Sequence, residues 1–227
     1  MLRINIIPVF VAFFFVFNLS AQNNNYGVVK NKIKGKEIVT ELIKLNFFNL
    51  TDKSDLKAAK VEFEKSYDKL FYFEGTMREN LTFTDNRFYF IDSETLFEGG
   101  GLIQYLEVVK PLFDKLNLKL DVSDEFSSQT EKHWRHTIKL NGKEYVAFDN
   151  DFDGNDWGIA FVNFIEMLNN VLRFQNSKEQ FYPISSGNDG RIVLLTLEQF
   201  EFVTSHYPNN NEHPRTIKDW KKDYFLN

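Results

Sequence analysis

The sequence has no cysteine, which excludes disulfide bonds, thiolate nucleophiles and cysteine-type zinc sites. It also has no block of basic residues, since 27 Lys and Arg stand against 32 Asp and Glu. A mildly acidic chain of this kind is a poor candidate for binding nucleic acid or anionic lipid. Prolines and arginines are few, whereas Asn, Lys, Ile and Phe are frequent. This residue usage indicates an AT-rich bacterial genome.

The first 21 residues have the composition of a secretory signal peptide. Arg3 supplies a positive charge, residues 6–17 are almost purely apolar, and Leu19-Ser20-Ala21 closes the run with small residues. The apolar run is shorter than the ~20 residues that a membrane-spanning helix needs, so we predict no membrane anchor. We expect cleavage after Ala21 and export to the periplasm or the cell exterior.

Helical patterns dominate the next part of the chain. Residues 22–35, with three successive Asn and alternating Lys, predict a flexible lead-in. A helix is predicted from Gly35 to about Asn46, and Ser54 is placed to cap a second helix that ends near Leu70. The two helices form a helical hairpin, so residues 36–72 are predicted to be a helical appendage of one globular domain, 36–227.

Strand patterns alternate with helices in the remainder. Residues 81–91 predict a hairpin with its turn at Asp85-Asn86, and residues 118–122 a further strand. Asn141-Gly142 predicts a type I′ turn that sets Ile138 opposite Tyr145 and His136 opposite Ala147. Strands are also predicted at 181–184 and 191–195.

Helices are predicted in the remaining segments. Strands and helices do not alternate regularly along the chain. One helix follows the glycines at 99–101 and should kink or split at Pro111. Another, capped by Asp156, runs from Trp157 to Phe174 with Trp157 on its buried stripe. A further helix is predicted after Thr196, and a short C-terminal helix is predicted around Trp220. The fold class is therefore predicted as α+β: a single domain with a mainly antiparallel sheet of hairpins packed by helices.

An acidic segment offers a candidate metal site. Asp149, Asp151 and Asp153, followed by Gly154, match the first half of a calcium loop, in which alternate carboxylates turn inward and glycine permits the bend. The bidentate Glu of such a loop is missing, because its position holds Ala160. Two interpretations of this segment stay open. It is either a calcium site completed by a ligand from elsewhere or a solvated acidic loop before a helix. No other cofactor is predicted.

Other chemistry-bearing residues give weaker patterns. His133 and His136 lie three apart in a predicted strand, which places them on opposite faces and disfavours a shared zinc ion. Asp92 and Glu94 follow a strand as a pair of carboxylates, and Glu166 lies on a predicted helix. No motif of a serine hydrolase or a phosphate-binding loop accompanies them.

Two functional hypotheses follow from these observations. The first is an exported, non-catalytic binding protein for a protein or carbohydrate partner, such as an immunity-type inhibitor whose acidic loops meet a basic secreted toxin. The second is a secreted or periplasmic hydrolase, calcium-dependent or not, whose carboxylates converge only in the fold. A deep pocket that joins Asp92, Glu94, His136 or Glu166 favours the hydrolase, and a flat acidic face favours binding.

Overall fold

The backbone of the computed structural model is described for residues 33–70, 72–80, 82–98, 100–207 and 213–223. The predicted signal peptide, 1–21, and most of the lead-in, 22–35, lie outside the described residues. The helices are α1 Gly35–Lys44, α2 Leu56–Leu70, α3 Ser93–Phe97, α4 Gly101–Lys115, α5 Asp156–Phe174, α6 Leu197–His206 and α7 Ile217–Asp223. The strands are β1 Phe88–Phe90, β2 Val122–Gln129, β3 His133–Leu140, β4 Lys143–Asp151, β5 Glu179–Ser185 and β6 Arg191–Thr196.

These strands form two three-stranded antiparallel sheets. A central sheet has the order β1-β6-β5, and a second sheet, which we call the hairpin sheet, has the order β2-β3-β4. Helices and hairpins occupy separate stretches of the chain, as the sequence pattern predicted. The prediction of a single α+β domain with antiparallel sheets is therefore confirmed.

The central sheet is buried on both faces. Side chains alternate along β6, so that Ile192 and Leu194 join one hydrophobic cluster whereas Val193 and Leu195 join another. The first cluster contains the apolar stripes of α4 and α5, and the second contains those of α1 and α2. The helical hairpin formed by α1 and α2 thus covers one face of the central sheet.

A buried arginine ties this helical hairpin to the central sheet. The Arg87 side chain is fully buried, and its Nη1 atom donates to Oε1 of Glu179 at 3.1 Å and to the Leu194 carbonyl at 3.0 Å. Its Nε atom donates to the Phe47 carbonyl at 2.5 Å, and Nη2 donates to Oδ1 of Asn49 at 2.6 Å. Burying a guanidinium is tolerable here because its donors are matched by a carboxylate and three neutral acceptors.

The hairpin sheet confirms the predicted turn. Asn141 and Gly142 have φ values of 52° and 77°, the positive angles that a type I′ turn requires. Ile138 lies opposite Tyr145 as predicted, and both are buried. The predicted pairing of His136 with Ala147 is wrong, because a bulge after His136 shifts the register and places Phe148 opposite it.

Several element boundaries differ from the prediction. The strand expected at 118–122 begins only at Val122 and continues to Gln129, where every residue is exposed and no hydrophobic alternation marks it. The hairpin expected over 81–91 is reduced to a bridge between Thr82 and Tyr89, because β1 pairs with β6 instead.

Three predictions for the helices are also corrected. Helix α4 runs unbroken through Pro111, so the predicted split does not occur. Asn155, and not Asp156, occupies the N-cap position of α5. Trp157 is 39% exposed and lies off the buried stripe of that helix.

Candidate functional site

The net charge of the protein is concentrated in the hairpin sheet and its loops. Residues 121–156 hold nine acidic and four basic side chains, a formal charge of −5. The whole chain also has a formal charge of −5, so the acidic and basic residues outside this segment balance. One 36-residue segment therefore accounts for the acidity of the protein, and its field acts over this part of the surface.

The two faces of the hairpin sheet have different surroundings. Ile138, Leu140 and Tyr145 point into the main hydrophobic cluster. On the opposite side, which we call the outer face, Phe126, Thr137 and Val146 lie in one row across the three strands. Phe126 and Val146 are 52% and 43% exposed, whereas Thr137 between them is buried. The outer face thus presents two apolar side chains to solvent on either side of a covered threonine.

Charged side chains flank this apolar row. On one side, Nζ of Lys139 lies 2.9 Å from Oδ2 of Asp124, and Glu144 lies opposite Lys139. On the other side, Nη1 of Arg135 lies 3.1 Å from Oδ2 of Asp149. An apolar centre with a polar, charged rim is the usual anatomy of a protein–protein interface.

His133 extends the charged rim of the outer face. Its Nδ1 atom lies 2.9 Å from Oδ1 of Asp151, and its Nε2 atom lies 3.0 Å from Oδ1 of Asp149. A carboxylate only accepts hydrogen bonds, so both ring nitrogens are engaged as donors when the imidazole is protonated. The hydrogen bonds to Asp151 and then to Asp149 raise the pKa of His133 above its ordinary 6.5.

The three aspartates of the predicted calcium loop occupy two different settings. Asp149 and Asp151 belong to β4, where they contact His133. Asp153 lies in the following loop, and its Oδ1 atom accepts a hydrogen bond from the backbone N–H of Asn155 at 2.9 Å. Among the described residues, no group of three or more His, Asp or Glu side chains has the arrangement of a metal site. The choice between a calcium site and a solvated acidic loop stays open.

His136 lies on the inner side of the same strand, as the three-residue spacing from His133 predicted. Its Nε2 atom lies 2.8 Å from Oε1 of Glu125, and its ring stacks on Trp134 with the centroids 5.0 Å apart. Trp134 packs edge-on against Phe97, at 4.8 Å. This histidine is therefore part of an aromatic layer beneath the sheet.

The carboxylates proposed for a hydrolase have local structural roles. Asp92 caps α3, since its Oδ1 atom accepts hydrogen bonds from the backbone N–H groups of Glu94 and Thr95. Glu166 forms an ion pair with Lys221 of α7, with Oε1 and Nζ 2.7 Å apart. Neither of these contacts involves His136, which pairs with Glu125. Asp92, Glu166 and His136 therefore have separate partners in the structure.

The sequence analysis missed the two apolar residues of the outer face. Phe126 is an isolated hydrophobic residue in a polar stretch, so no periodicity marked its strand. Val146 lay in a predicted strand and keeps the register of the Asn141-Gly142 turn opposite Thr137, but no pattern showed that Phe126 lies in the same row on the neighbouring strand. The concentration of acidic charge in 121–156 could have been counted from the sequence and was a signal for this surface.

Comparison with protein-family models, with curated proteins and with solved structures gave no match. Among the helices of the described ranges, none has the length and apolar composition to cross a membrane. The geometry and charge of the outer face are therefore the features from which a function can be inferred.

Proposed function

We propose that this protein is a non-catalytic binding protein, and that the outer face of the hairpin sheet docks on a basic surface of a protein partner. The observation that carries the proposal is the coincidence of two features. The net formal charge of residues 121–156 equals that of the whole chain, −5, and the same segment exposes Phe126 and Val146 on one sheet face.

The physical roles of the two features are complementary. The acidic field accelerates encounter with a basic partner and disfavours acidic ones. Phe126 and Val146 supply apolar area at the centre of the interface. Contacts contribute most to the binding free energy there, because water is excluded. The Lys139–Asp124 pair uses Oδ2 of Asp124, and the His133–Asp151 contact uses Oδ1 of Asp151. The other oxygen of each carboxylate can accept hydrogen bonds from lysine or arginine of the partner.

A protein partner suits this face better than a carbohydrate does. The outer face is an open sheet surface, and its apolar residues come from two edge strands with a buried threonine between them. Together with the predicted export, this chemistry supports a partner met in the periplasm or at the cell exterior. A secreted toxin with a basic surface, the partner of an immunity-type inhibitor, has the required properties.

Affinity capture with matched bait variants tests the proposal. The full chain is used as bait beside Phe126→Ser and Asp151→Lys on the outer face. Leu197→Ser and Glu198→Lys serve as controls, since Leu197 and Glu198 are exposed and lie on α6, outside the hairpin sheet. A partner found by mass spectrometry is then purified, and its dissociation constant is measured with each variant.

We expect a partner with a basic surface, whose affinity falls about tenfold or more with Phe126→Ser and with Asp151→Lys. Affinity should also fall as salt is raised, because the steering charges are exposed. The two α6 variants should bind like the unaltered chain. The proposal fails if no partner is retained, or if a retained partner is insensitive to the outer-face variants.

A further inference from the structure

A cleft of about 600 Å³ lies between α4 and the loops that precede α2 and β1. One wall is a stripe of α4 with helical spacing, formed by Gln104, Glu107, Val108 and Pro111. The facing wall and floor include Asp55, Asn80, Thr82, Asn86 and Tyr89. This volume falls within the ~300–1,000 Å³ range of small-molecule sites.

The two basic side chains of the cleft are already paired. Nζ of Lys115 lies 2.5 Å from Oδ1 of Asp52, and the Arg78 guanidinium forms an ion pair with Asp55. Arg78 also donates from Nη1 to the Phe83 carbonyl at 2.6 Å. These contacts use the strongest donors, so the cleft is poorly suited to a phosphate or another anion.

Hydrogen-bond acceptors remain on both walls. The Glu107 carboxylate is exposed and forms no ion pair with another described residue. Pro111 has no N–H, so the Glu107 carbonyl cannot receive the hydrogen bond that residue i+4 normally donates in a helix. Gln104 adds an amide oxygen to this wall. Across the cleft, Arg78 pairs with Oδ2 of Asp55 and leaves Oδ1, and the Asn80 amide oxygen, which accepts a hydrogen bond from the Thr82 hydroxyl at 2.7 Å, has one further acceptor position. A ligand that spans the cleft must therefore carry several donors.

The same cleft has an apolar surface. Val108 and Pro111 present apolar surface from α4, above Leu112 and Tyr89, which are 1% and 3% exposed. A ligand with donors around its edge and an apolar face matches both properties. A pyranose ring has this character, because its hydroxyls donate hydrogen bonds whereas its C–H face packs on apolar surface.

We infer that this cleft is a saccharide-binding site. The inference goes beyond the protein-binding face, because the residues of the cleft lie outside 121–156. A simple amine would need only one carboxylate and would leave the acceptors of the opposite wall unused. A sugar of one or two rings uses the acceptors of both walls and the apolar surface of the α4 wall.

Ligand-observed NMR and calorimetry on the full chain test the inference. The probes are maltose, cellobiose and N,N′-diacetylchitobiose, with cadaverine as a cationic amine. Glu107→Ala and Asn80→Ala remove one acceptor side chain from each wall. Asp114→Ala is the matched control, since Asp114 is an exposed residue of α4 outside the lining of the cleft. All three positions are exposed, so the variants should melt like the unaltered chain.

We expect at least one of the three disaccharides to bind saturably, with little dependence on salt between ~50 and ~500 mM. Its dissociation constant should rise at least tenfold in Glu107→Ala and in Asn80→Ala and stay unchanged in Asp114→Ala. The inference is overturned if none of the disaccharides saturates, if only cadaverine binds, or if the cleft variants bind like the control. Variants of the outer face leave this cleft intact. Failure of saccharide binding and failure of protein binding can therefore be told apart.

Discussion

His133 of β3 contacts Asp149 of β4 diagonally, with Nε2 and Oδ1 3.0 Å apart, and Asp151, directly opposite His133, holds the other ring nitrogen. The imidazole therefore bridges two carboxylates at the rim of the outer face. Protonation of His133 removes one unit of negative charge from this surface, and deprotonation restores it. The charge that the outer face presents to a partner depends on the state of this one ring.

The pKa of His133 should lie above 6.5, and Asp151→Asn should lower it because Asp151 is the largest cause of the shift. Because the pKa of His133 is higher in the folded than in the unfolded state, its contacts with the aspartates stabilise the protein fully below the unfolded-state pKa. This stabilisation is lost as pH rises through the folded-state pKa. NMR titration of the imidazole resonances measures the pKa of His133. Glu144→Gln, on the same face, is the control. Equal pKa values in the unaltered chain and Asp151→Asn would contradict the assignment.

Asp85 should make the protein less stable as the pH rises from 4 to 8. It is fully buried, and desolvation raises its pKa from 3.8 to about 6, although its Oδ1 atom accepts hydrogen bonds from the backbone N–H groups of Arg87 and Phe88. Its Oδ2 atom has no hydrogen-bond partner among the described residues. The stabilisation belongs to the protonated form and is lost as pH rises through about 6.

Asp85→Asn keeps the Oδ1 acceptor and cannot ionise. Denaturant unfolding should show this variant to be more stable than the unaltered chain by about 1–3 kcal/mol at pH 8, with no gain at pH 4. Asp114→Asn, at an exposed position, should leave the pH dependence unchanged. A gain that is the same at both pH values would show that ionisation of Asp85 is not the cause.

Gly142→Val should destabilise the hairpin sheet by about 1–3 kcal/mol, because a β-branched residue resists a positive φ. Gly142 has a φ of 77°, and an added Cβ would meet nothing within 4 Å, so the cost is backbone strain alone. Thermal melting measures the loss, with exposed Glu144→Val as the control. An unchanged melting temperature would contradict the turn geometry.

A concentration of ~1 mM matches the weak dissociation constants of extracellular calcium modules. At this concentration, calcium should raise the melting temperature no more than magnesium does. Asp149 and Asp151 are held by His133 within a strand, and Asp153 turns back on its own loop. An ion would have to displace these contacts. A calcium-specific rise that disappears in Asp151→Ala would instead establish the metal site that the aspartate spacing suggests.

Local patterns carried enough information to predict the main elements of the fold. The Asn141-Gly142 turn follows from backbone sterics, and the box formed by Thr196 and Gln199 marks the start of α6. The buried stripes of α4 and α5 follow from helical periodicity. Each of these signals lies within a few residues of the element that it specifies.

Features that depend on distant contacts escaped the sequence analysis. β1 pairs with β6 across about a hundred residues, so the local alternation at 81–91 suggested the wrong partner strand. The bulge after His136 is a property of the assembled sheet and changed which residues share the outer face. Val122–Gln129 has only exposed side chains, so no buried apolar stripe marks it as a strand. It is held by backbone pairing with β3 and by polar contacts such as Asp124–Lys139 and Glu125–His136.

Site-specific photo-crosslinking tests the central claim most directly. A photoreactive residue is placed at Val146 of the outer face or, as the control, at Leu197 of α6, and the full chain is illuminated in its native extract. The account predicts a discrete adduct from position 146, with a protein that has a basic surface, and none from position 197. Crosslinking from both positions alike, or from position 197 alone, would contradict the outer face as the binding surface.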